Sequence, residues 1–367
     1  MSIPSLTQRS RTLLALFSIA AALIAGCGSG GFFDNPYTDR LESQKRRPAH
    51  VTPASAASTA ASRAPHPKGE TPAPRPIGPR CSIERGPLPE AADVLEIVLI
   101  DVGQGDAILV VAPNGRTLLV DGGMAFHASS GAGKKSGGYQ MPDDMGKKAV
   151  LPFLRKRGID RLNIAVGSHP HADHIGGLVT VAGALGIDLY VDPGVPYSSD
   201  TYAALLERLA ERKIAYRIAK SGDTLDLDPR VEIRILGPEP PQDENVNNSS
   251  VVLEISYGGF VALLTGDAEA EEEAELVQSG QLKSACLLKV GHHGSRSSST
   301  AAFVETLRPS IAAISCGRRN KFGHPHRSTI DRFDAAGVEV LRTDLDGTIR
   351  FLTDGKRLEV KTLGKRR

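Results

Sequence analysis

Three histidines and an aspartate lie together in one short stretch, His-Pro-His-Ala-Asp-His, which ends at His174. An apolar run over residues 162–166 leads into the stretch and predicts a buried strand, and the apolar residues after it predict a helix. His169 and His171 are one residue apart in extended chain, so both side chains point to the same side. Asp173 and His174 follow as the chain turns into the helix. Because imidazoles and carboxylates are ligands of transition metal ions, this spacing predicts a site for two adjacent ions.

The alternative interpretation is a polar surface loop that holds three histidines by coincidence. The whole chain has ten histidines, and three within six residues are improbable by chance. The sequence shows no nucleophile elbow, and two-metal chemistry needs no serine or cysteine nucleophile. We therefore expect hydrolysis by water that two ions activate.

The HxHxDH spacing resembles that of the metallo-β-lactamase superfamily. Five further motifs come in the order found in the hydrolase domain of ComEC-type competence proteins, and together they cover about residues 95–360. They are Leu-Ile-Asp-Val-Gly-Gln-Gly-Asp-Ala from Leu99, Leu-Leu-Val-Asp-Gly-Gly from Leu118, Leu-Thr-Gly-Asp from Leu264, Lys-Val-Gly-His-His-Gly-Ser from Lys289 and Asn-Lys-Phe-Gly-His-Pro from Asn320. The resemblance implies an α/β protein, the αββα metallo-β-lactamase sandwich, with the site at one edge between two sheets.

Periodicity alone predicts sheets covered by helices. Two pairs of short apolar runs, 107–112 with 116–120 and 251–256 with 260–265, flank turn signals and predict β-hairpins. Helical patterns, among them 200–212, alternate with strands along the rest of the domain.

Ligand roles follow from the resemblance. It implies that six residues bind the ions: His169, His171, Asp173, His174, Asp267 and His293. Asp267 would bridge the two ions, and Asp121 would orient a ligand histidine. Asp173, His292 and His324 are the expected catalytic groups. His293 would complete the second metal site while His292 faces the substrate or the first site, but the reverse assignment of these neighbours stays open.

The family pattern has one gap in this chain. Many members carry a further histidine between the HxHxDH loop and Asp267, yet residues 175–266 contain none. The corresponding stretch holds Asn248 and Ser250, either of which could point at the site, or water could take the position. Because an oxygen-rich site with an open position also suits manganese, the expected cofactors are two divalent ions, zinc or manganese.

Three more polar residues remain candidates around the site. The resemblance favours Asn320, with His324, as a group that faces the substrate, with a phosphate oxygen as the expected contact. Asp101 and Gln104 belong to a glycine-rich turn, where a structural role and a role at the site are equally expected. His326 has no assigned role.

The first 89 residues predict export rather than catalysis. Two arginines precede an apolar run too short for a comfortable transmembrane helix, and it ends at Cys27 in a sequence that resembles a lipobox. Residues 1–27 are therefore expected to be a lipoprotein signal, with an ordinary secretory signal as the alternative. Residues 28–89 predict a disordered, Pro- and Ala-rich tether, and 90–367 the hydrolase domain. No other segment has the length and apolarity of a membrane span, so we expect no membrane channel. Gly28 after the lipidated cysteine favours the outer membrane.

Cysteine and charge set further limits. Cys286 and Cys316 lie in or beside apolar strands and are expected to be buried thiols, and with Cys81 they make an odd count that implies no disulfide framework. Residues 1–81 hold ten of the 44 basic and four of the 42 acidic residues, so the remaining chain is acidic by four charges. Such a domain is not expected to bind long duplex DNA strongly. Local binding of phosphate groups at the site is still expected.

These observations predict an exported, lipid-anchored dinuclear metallohydrolase that cleaves phosphodiester bonds, in nucleic acid or nucleotides. A small-molecule phosphodiesterase, similar to phosphorylcholine esterases, is the close alternative. The alternative outside enzymes is a metal-binding scaffold lipoprotein.

Overall fold

The computed structural model describes residue 81 and residues 83–90, 93–127, 143–239 and 245–364. The predicted signal segment 1–27 with Cys27, and the predicted tether as far as residue 80, lie outside these residues. Within them, no helix has the length and apolarity needed to cross a membrane.

The described residues build two β-sheets. In chain order the strands are β1 (Glu84–Arg85), β2 (Leu95–Leu99), β3 (Ile108–Val111), β4 (Thr117–Val120), β5 (Arg161–Val166), β6 (Gly186–Asp192), β7 (Ala215–Ile218), β8 (Glu232–Gly237), β9 (Val252–Tyr257), β10 (Phe260–Leu264), β11 (Leu287–Lys289), β12 (Ile311–Ile314), β13 (Glu339–Arg342), β14 (Thr348–Thr353) and β15 (Arg357–Leu363). The first sheet has the order β1-β15-β14-β2-β3-β4-β5-β6-β7, and the second the order β13-β12-β11-β10-β9-β8. Both predicted hairpins, β3 with β4 and β9 with β10, are present.

Seven α-helices cover the sheets in the described residues. They are α1 (Leu151–Lys156), α2 (Ala172–Ala184), α3 (Asp200–Glu211), α4 (Ala270–Ser279), α5 (Ala301–Leu307), α6 (Arg327–Ala335) and α7 (Thr343–Asp346). A π-helical turn, Gly146–Val150, leads into α1, and two 3-10 turns, Val246–Ser249 and Gly291–Gly294, lie beside the candidate site.

Three apolar layers hold the fold together. In β2, Ile97 packs between the two sheets with residues such as Ile255, whereas the next residue, Val98, packs under α2 and α3. This alternation follows from the two-residue period of a strand, and strands buried on both faces are therefore apolar throughout. The outer face of the second sheet packs against Phe303 of α5 and Phe333 of α6. The layers confirm the αββα sandwich.

The folded domain begins before the predicted boundary at residue 90. Glu84 and Arg85 pair with Arg357 and Leu358 as a two-residue edge strand. Both residues of this strand are exposed and charged, so the sequence carries no apolar pattern there. The boundary prediction is therefore wrong, and the described domain starts at Cys81.

The cysteine prediction is also wrong in part. Cys81 and Cys286 form a disulfide across 205 residues, so Cys286 is not a free thiol. Cys286 immediately precedes β11 in the second sheet, whereas Cys81 lies just before β1 in the first. The pairing depends on how the sheets stack, which leaves no local signal. Cys316 is a buried free thiol, as predicted.

Candidate metal centre

Strand ends from both sheets meet at one edge of the sandwich. In the first sheet, parallel strands β4 and β5 end just before Asp121 and His169. In the second, parallel strands β10 and β11 end just before Asp267 and the histidine pair that closes with His293. Since the carboxyl ends of parallel strands lie at the same edge, four separate segments deliver polar side chains to one place.

The HxHxDH loop forms the first wall of this place. His169 Nε2 lies 2.9 Å from His171 Nδ1, on the side of the loop they share. Helix α2 begins at Ala172, so Asp173 and His174 lie in its first turn. Gly177 of the same helix lets it approach the turn after β4, since a Cβ there would lie 1.9 Å from the carbonyl oxygen of Gly122.

Asp121 fixes the orientation of His174. Its carboxylate accepts hydrogen bonds from the backbone N–H and the hydroxyl of Ser168, at 2.8 and 2.7 Å, and lies 2.8 Å from His174 Nδ1. A carboxylate on Nδ1 holds the imidazole in the tautomer that presents Nε2 as a lone pair. Asp121 is fully buried, which is the place the sequence expected for it.

Asp267 occupies the middle of the cluster. Its Oδ1 lies 3.2 Å from His174 Nε2, and its Oδ2 lies 3.5 Å from His293 Nε2. The same Oδ2 lies 3.9 Å from the Nε2 atoms of both His169 and His292. Ser250 holds Asp267 in place, because its hydroxyl accepts the backbone N–H of Asp267 at 3.0 Å.

The neighbouring histidines after β11 face two different surroundings. Both have left-handed backbone angles, with φ of 47° at His292 and 53° at His293. His293 Nδ1 donates to the carbonyl of Ser315 at 3.0 Å, and its Nε2 lies 3.5 Å from Asp173 Oδ2. His292 Nδ1 instead lies 2.7 Å from Glu269 Oε1, a residue that the sequence reasoning missed inside a glutamate-rich stretch.

We call Asp173, His174 and His293 the inner half of the centre, and His169, His171 and His292 the outer half. Asp267 lies between the halves. The inner imidazoles are buried, whereas His171 and His292 of the outer half are partly exposed.

The residues present fit a metal ion. His174 Nε2, His293 Nε2 and Asp267 Oδ1 are buried side-chain atoms without a hydrogen-bond partner. Since Nδ1 of each imidazole serves another acceptor, the Nε2 lone pairs face carboxylate oxygens, and a metal ion or a proton between them would remove the repulsion. Asp106, His174, Asp267 and His293 offer donor atoms within 4.8 Å of one another, a set suited to a divalent ion.

The pKa values of the inner-half histidines agree with a site for a positive ion. Burial alone would lower the pKa of His293, but the carboxylates of Asp267, Asp106 and Asp173 outweigh it and raise that pKa to about 10. His174 shows the same balance of burial against Asp267 and Asp121, and its pKa lies well above the usual value. The surroundings therefore favour positive charge, whether a proton or a metal ion carries it.

A buried ion pair supports the inner half from behind. Lys289 Nζ lies 2.6 Å from Asp106 Oδ2, and both side chains are fully buried. Burial would raise the pKa of Asp106, but Lys289, His293 and His174 together outweigh it and lower that pKa to about 2. Asp106 Oδ1 lies 3.5 Å from His293 Nδ1. Sequence reasoning missed this role of Lys289, although a lysine at the end of an apolar strand is a signal that could have been followed.

Several candidate residues serve the loops instead of the centre. Asp101 Oδ1 accepts the N–H of Gly103 at 3.1 Å, and Gln104 Oε1 accepts the N–H of Gly317 at 3.1 Å. Asn248 Oδ1 accepts the N–H of Glu269, and its amide donates to Glu271, both at 3.0 Å.

Asn320 is likewise committed to its own loop. Its amide donates to the carbonyls of Gly317 and His324, and its oxygen accepts the N–H groups of Phe322 and His324. These four hydrogen bonds use the whole side chain, so Asn320 shapes the loop, and its contact with the substrate stays a prediction.

His324 lies at the open side of the cluster. Its ring centroid is 5.4 Å from that of His292 and 6.3 Å from that of His293. Burial, helped by the neighbouring histidines His293 and His292, lowers the pKa of His324 to about 4. Its Nδ1 is buried without a hydrogen-bond partner. His326 accepts the backbone N–H of Arg296 at 3.1 Å, and its ring centroid lies 5.0 Å from that of His324.

Comparison with known proteins agrees with this geometry. The sequence pattern of the Metallo-beta-lactamase superfamily matches residues 100–318. The chain belongs to the metallo-β-lactamase superfamily. The matched region spans the HxHxDH loop, Asp267 and the histidine pair after β11, so it contains both halves of the centre.

The relatives place the domain more closely. It is 35% identical over 258 residues to ComE operon protein 3 of Bacillus subtilis (strain 168), covering 70% of this chain and 33% of that protein. It is 30% identical over 267 residues to Competence protein ComA of Neisseria gonorrhoeae, and the match covers 72% of this chain and 33% of that protein. The chain thus spans about one third of the length of these curated relatives. Their similarity agrees with the resemblance to ComEC-type competence proteins that the sequence motifs indicate.

Among solved structures, the metallo-β-lactamase fold protein YhfI from Bacillus subtilis aligns over 68% of this chain and 96% of that chain. The sequence identity is 12% and the TM-score is 0.42.

Proposed function

We propose that this domain hydrolyses phosphodiester bonds with two divalent ions, zinc or manganese, and that a nucleic acid strand is its preferred substrate. The observation that carries the proposal is a row of rings that leads from the metal centre to the surface. His324 lies between His292 and Phe322, whose ring stacks on it at 5.6 Å between centroids and 24° between planes. Phe322 is 48% exposed, and Lys321 Nζ lies 5.1 Å from its ring centroid.

Exposed aromatic rings beside basic groups suit single-stranded nucleic acid. A base stacks on such a ring at about 1–3 kcal/mol, and a neighbouring cation attracts the phosphate. Arg318 and Arg319 precede Lys321 in the same loop and add positive charge to an otherwise acidic domain. This local charge supports contact with a short strand at the site rather than a long duplex.

The chain would hold the ions with His169, His171, Asp173, His174, Asp267 and His293. When bound, two such ions supply activated water and neutralise the charge that grows on phosphate oxygens. Asp121 orients His174, and Ser250 fixes Asp267. Asp173 stays ionised because His293 and His174 outweigh its burial and lower its pKa, so its carboxylate accepts hydrogen bonds at neutral pH.

His324 would contact the substrate as a neutral imidazole. With its pKa lowered to about 4, the ring is not an imidazolium acid at neutral pH, but it keeps one N–H. It would instead form a hydrogen bond to a phosphate oxygen beside the centre. This role differs from a general acid, whose pKa lies near the working pH.

The test uses the purified chain loaded with Zn²⁺ or Mn²⁺, with labelled single-stranded DNA and bis(p-nitrophenyl) phosphate as parallel substrates. We expect metal-dependent cleavage of both, which the Asp173→Ala, His174→Ala double variant abolishes. Phe322→Ala is expected to raise KM for DNA about 10-fold, through lost stacking, and to leave the small ester unaffected. Leu363→Ala, at another exposed apolar position, is the matched control.

Other results would redirect the assignment. Turnover of the small ester alone would favour a small-molecule phosphodiesterase. Bound metal with neither substrate cleaved would exclude the phosphodiester proposal and favour a scaffold lipoprotein.

We further propose that the protein is exported and anchored by a lipid on Cys27, in the outer membrane. The apolar run that ends at Cys27 supports this, and so does the Cys81–Cys286 disulfide, because disulfides persist in oxidising compartments. Cell fractionation of the Cys27→Ala variant tests it. Loss of the protein from the outer membrane fraction is expected, and unchanged membrane association would contradict the proposal.

A further inference from the structure

The outer half of the centre lacks one ligand in the family pattern. His169 and His171 come from the HxHxDH loop, but residues 175–266 contain no histidine to join them. The stretch that takes the corresponding place in the chain forms the 3-10 turn Val246–Ser249. Its side chains therefore show what this protein has in place of the histidine.

The asparagines of this segment hold Glu269. Asn245 Nδ2 donates to Glu269 Oε2 at 2.9 Å, and Asn247 Nδ2 donates to Oε1 at 3.0 Å. Asn248 Oδ1 accepts the backbone N–H of Glu269 at 3.0 Å. Three successive contacts thus fix both the backbone and the carboxylate of one residue, just before helix α4.

Glu269 in turn fixes His292. Its Oε1 lies 2.7 Å from His292 Nδ1, and the same oxygen accepts a hydrogen bond from the amide of Asn247 at 3.0 Å. The carboxylate accepts the Nδ1–H, so Nε2 carries a lone pair. That Nε2 lies 3.9 Å from Asp267 Oδ2, as does the Nε2 of His169.

This arrangement repeats the one in the inner half. There, Asp121 lies 2.8 Å from His174 Nδ1, and His174 Nε2 faces Asp267 Oδ1. Histidine ligands of metals regularly donate their other N–H to a carboxylate. In each half, then, a carboxylate on Nδ1 aims an Nε2 lone pair at Asp267.

We infer that His292 is the third imidazole ligand of the outer half, with His169 and His171, and that Glu269 is its positioning residue. The Asn245, Asn247 and Glu269 contacts then serve the position for which the family pattern uses a histidine. The inference rests on the proposed function only in that the centre binds two ions.

The experiment measures metal binding without substrate. The purified full chain is dialysed against a series of buffered free Zn²⁺ concentrations, bound Zn²⁺ is counted by mass spectrometry, and Co²⁺ absorption spectra report the ligands. Wild type is expected to bind two ions. His292→Ala is expected to lower the affinity for one Zn²⁺ ion by more than about 100-fold. Glu269→Gln is expected to lower the affinity for the same ion by about 10-fold, and the affinity for the other ion should not change in either variant. His326→Ala is the matched control, with wild-type binding.

Two results would overturn the inference. One is unchanged affinity for both ions in His292→Ala, which would make His292 a substrate-facing group. The other is an equal loss of affinity for both Zn²⁺ ions in Glu269→Gln, which would show that the substitution destabilises the whole centre. Circular dichroism checks that each variant is folded, and Glu269→Gln carries the test if His292→Ala is not. If wild type binds two ions and hydrolyses no phosphodiester, the proposed function fails while this inference stands.

Discussion

The inner and outer halves of the metal centre use the same pairing of carboxylate and imidazole but bury it to different extents. Asp121 and His174 have no exposed side-chain surface, whereas Glu269 is 16% and His292 25% exposed. The inner half also has a buried lysine–aspartate pair behind it, and the outer half opens toward His324 and Phe322. From this difference we predict that the inner half fixes the geometry of the site and that the outer half meets the proposed substrate.

The largest effect is expected from breaking the support of the inner half. Lys289→Met leaves Asp106 buried without its ion pair, which costs about 3–5 kcal/mol of unfolding free energy. Urea denaturation followed by circular dichroism measures the loss. Lys361→Met, at a surface ion pair, should stay within about 0.5 kcal/mol of wild type. A loss below about 1 kcal/mol in Lys289→Met would show that the inner half does not depend on this pair.

A second prediction tests whether Zn²⁺ binding in the two halves depends on the disulfide that joins the two sheets. Cys81→Ser opens the disulfide at the start of β11, the strand whose far end carries Lys289. The lost constraint on the unfolded chain is expected to cost about 2–4 kcal/mol. Zn²⁺ affinity should remain unchanged in both halves, because neither contacts the bridge. Selective loss of one ion would instead tie that half to the disulfide.

Asp121→Asn tests the orientation of the inner half directly. Without the carboxylate on Nδ1, His174 loses its fixed tautomer, and the affinity for the inner ion is expected to fall about 10–100-fold. Equilibrium dialysis with Zn²⁺ measures this, with Glu269→Gln as the counterpart for the outer half. Because Asp121 is the more deeply buried of the two carboxylates, its replacement should have the larger effect. The opposite order would contradict the comparison.

The smallest effect concerns pH and Glu273 of α4, which lies one turn after Glu269. Burial outweighs the N–H groups of Thr300 and Ser299 and raises the pKa of Glu273 to about 7. A pKa raised in the folded state gives stability that is present below the unfolded value near 4.5 and lost as the pH rises through about 7. From pH 5 to pH 6.5 this amounts to roughly 1–2 kcal/mol.

Urea denaturation of wild type and Glu273→Gln at both pH values isolates this contribution. The difference in unfolding free energy between wild type and Glu273→Gln should change with pH. Glu305→Gln, at an exposed position, should have the unfolding free energy of wild type at both pH values. A constant difference between wild type and Glu273→Gln would place the pKa of Glu273 outside this range.

The sequence determined the parts of the site that lie close together in the chain. The HxHxDH loop, its strand and its helix are contiguous, so periodicity and spacing predicted their arrangement. Asp121 and Asp267 were found because each follows an apolar strand within a recognisable motif. Both hairpins followed for the same reason, since alternating apolar residues and turn signals act over a few residues. The sandwich itself was implied by the resemblance of the motifs to a known family.

Only the tertiary structure decided which distant groups meet. The Cys81–Cys286 disulfide, the Lys289–Asp106 ion pair and the Glu269–His292 pair each join segments whose contact depends on how the two sheets stack and where their strands end. The different surroundings of His292 and His293 depend on the left-handed turn that both occupy. A buried polar group takes whichever partner the fold brings near it, so these pairings leave no pattern in the local sequence.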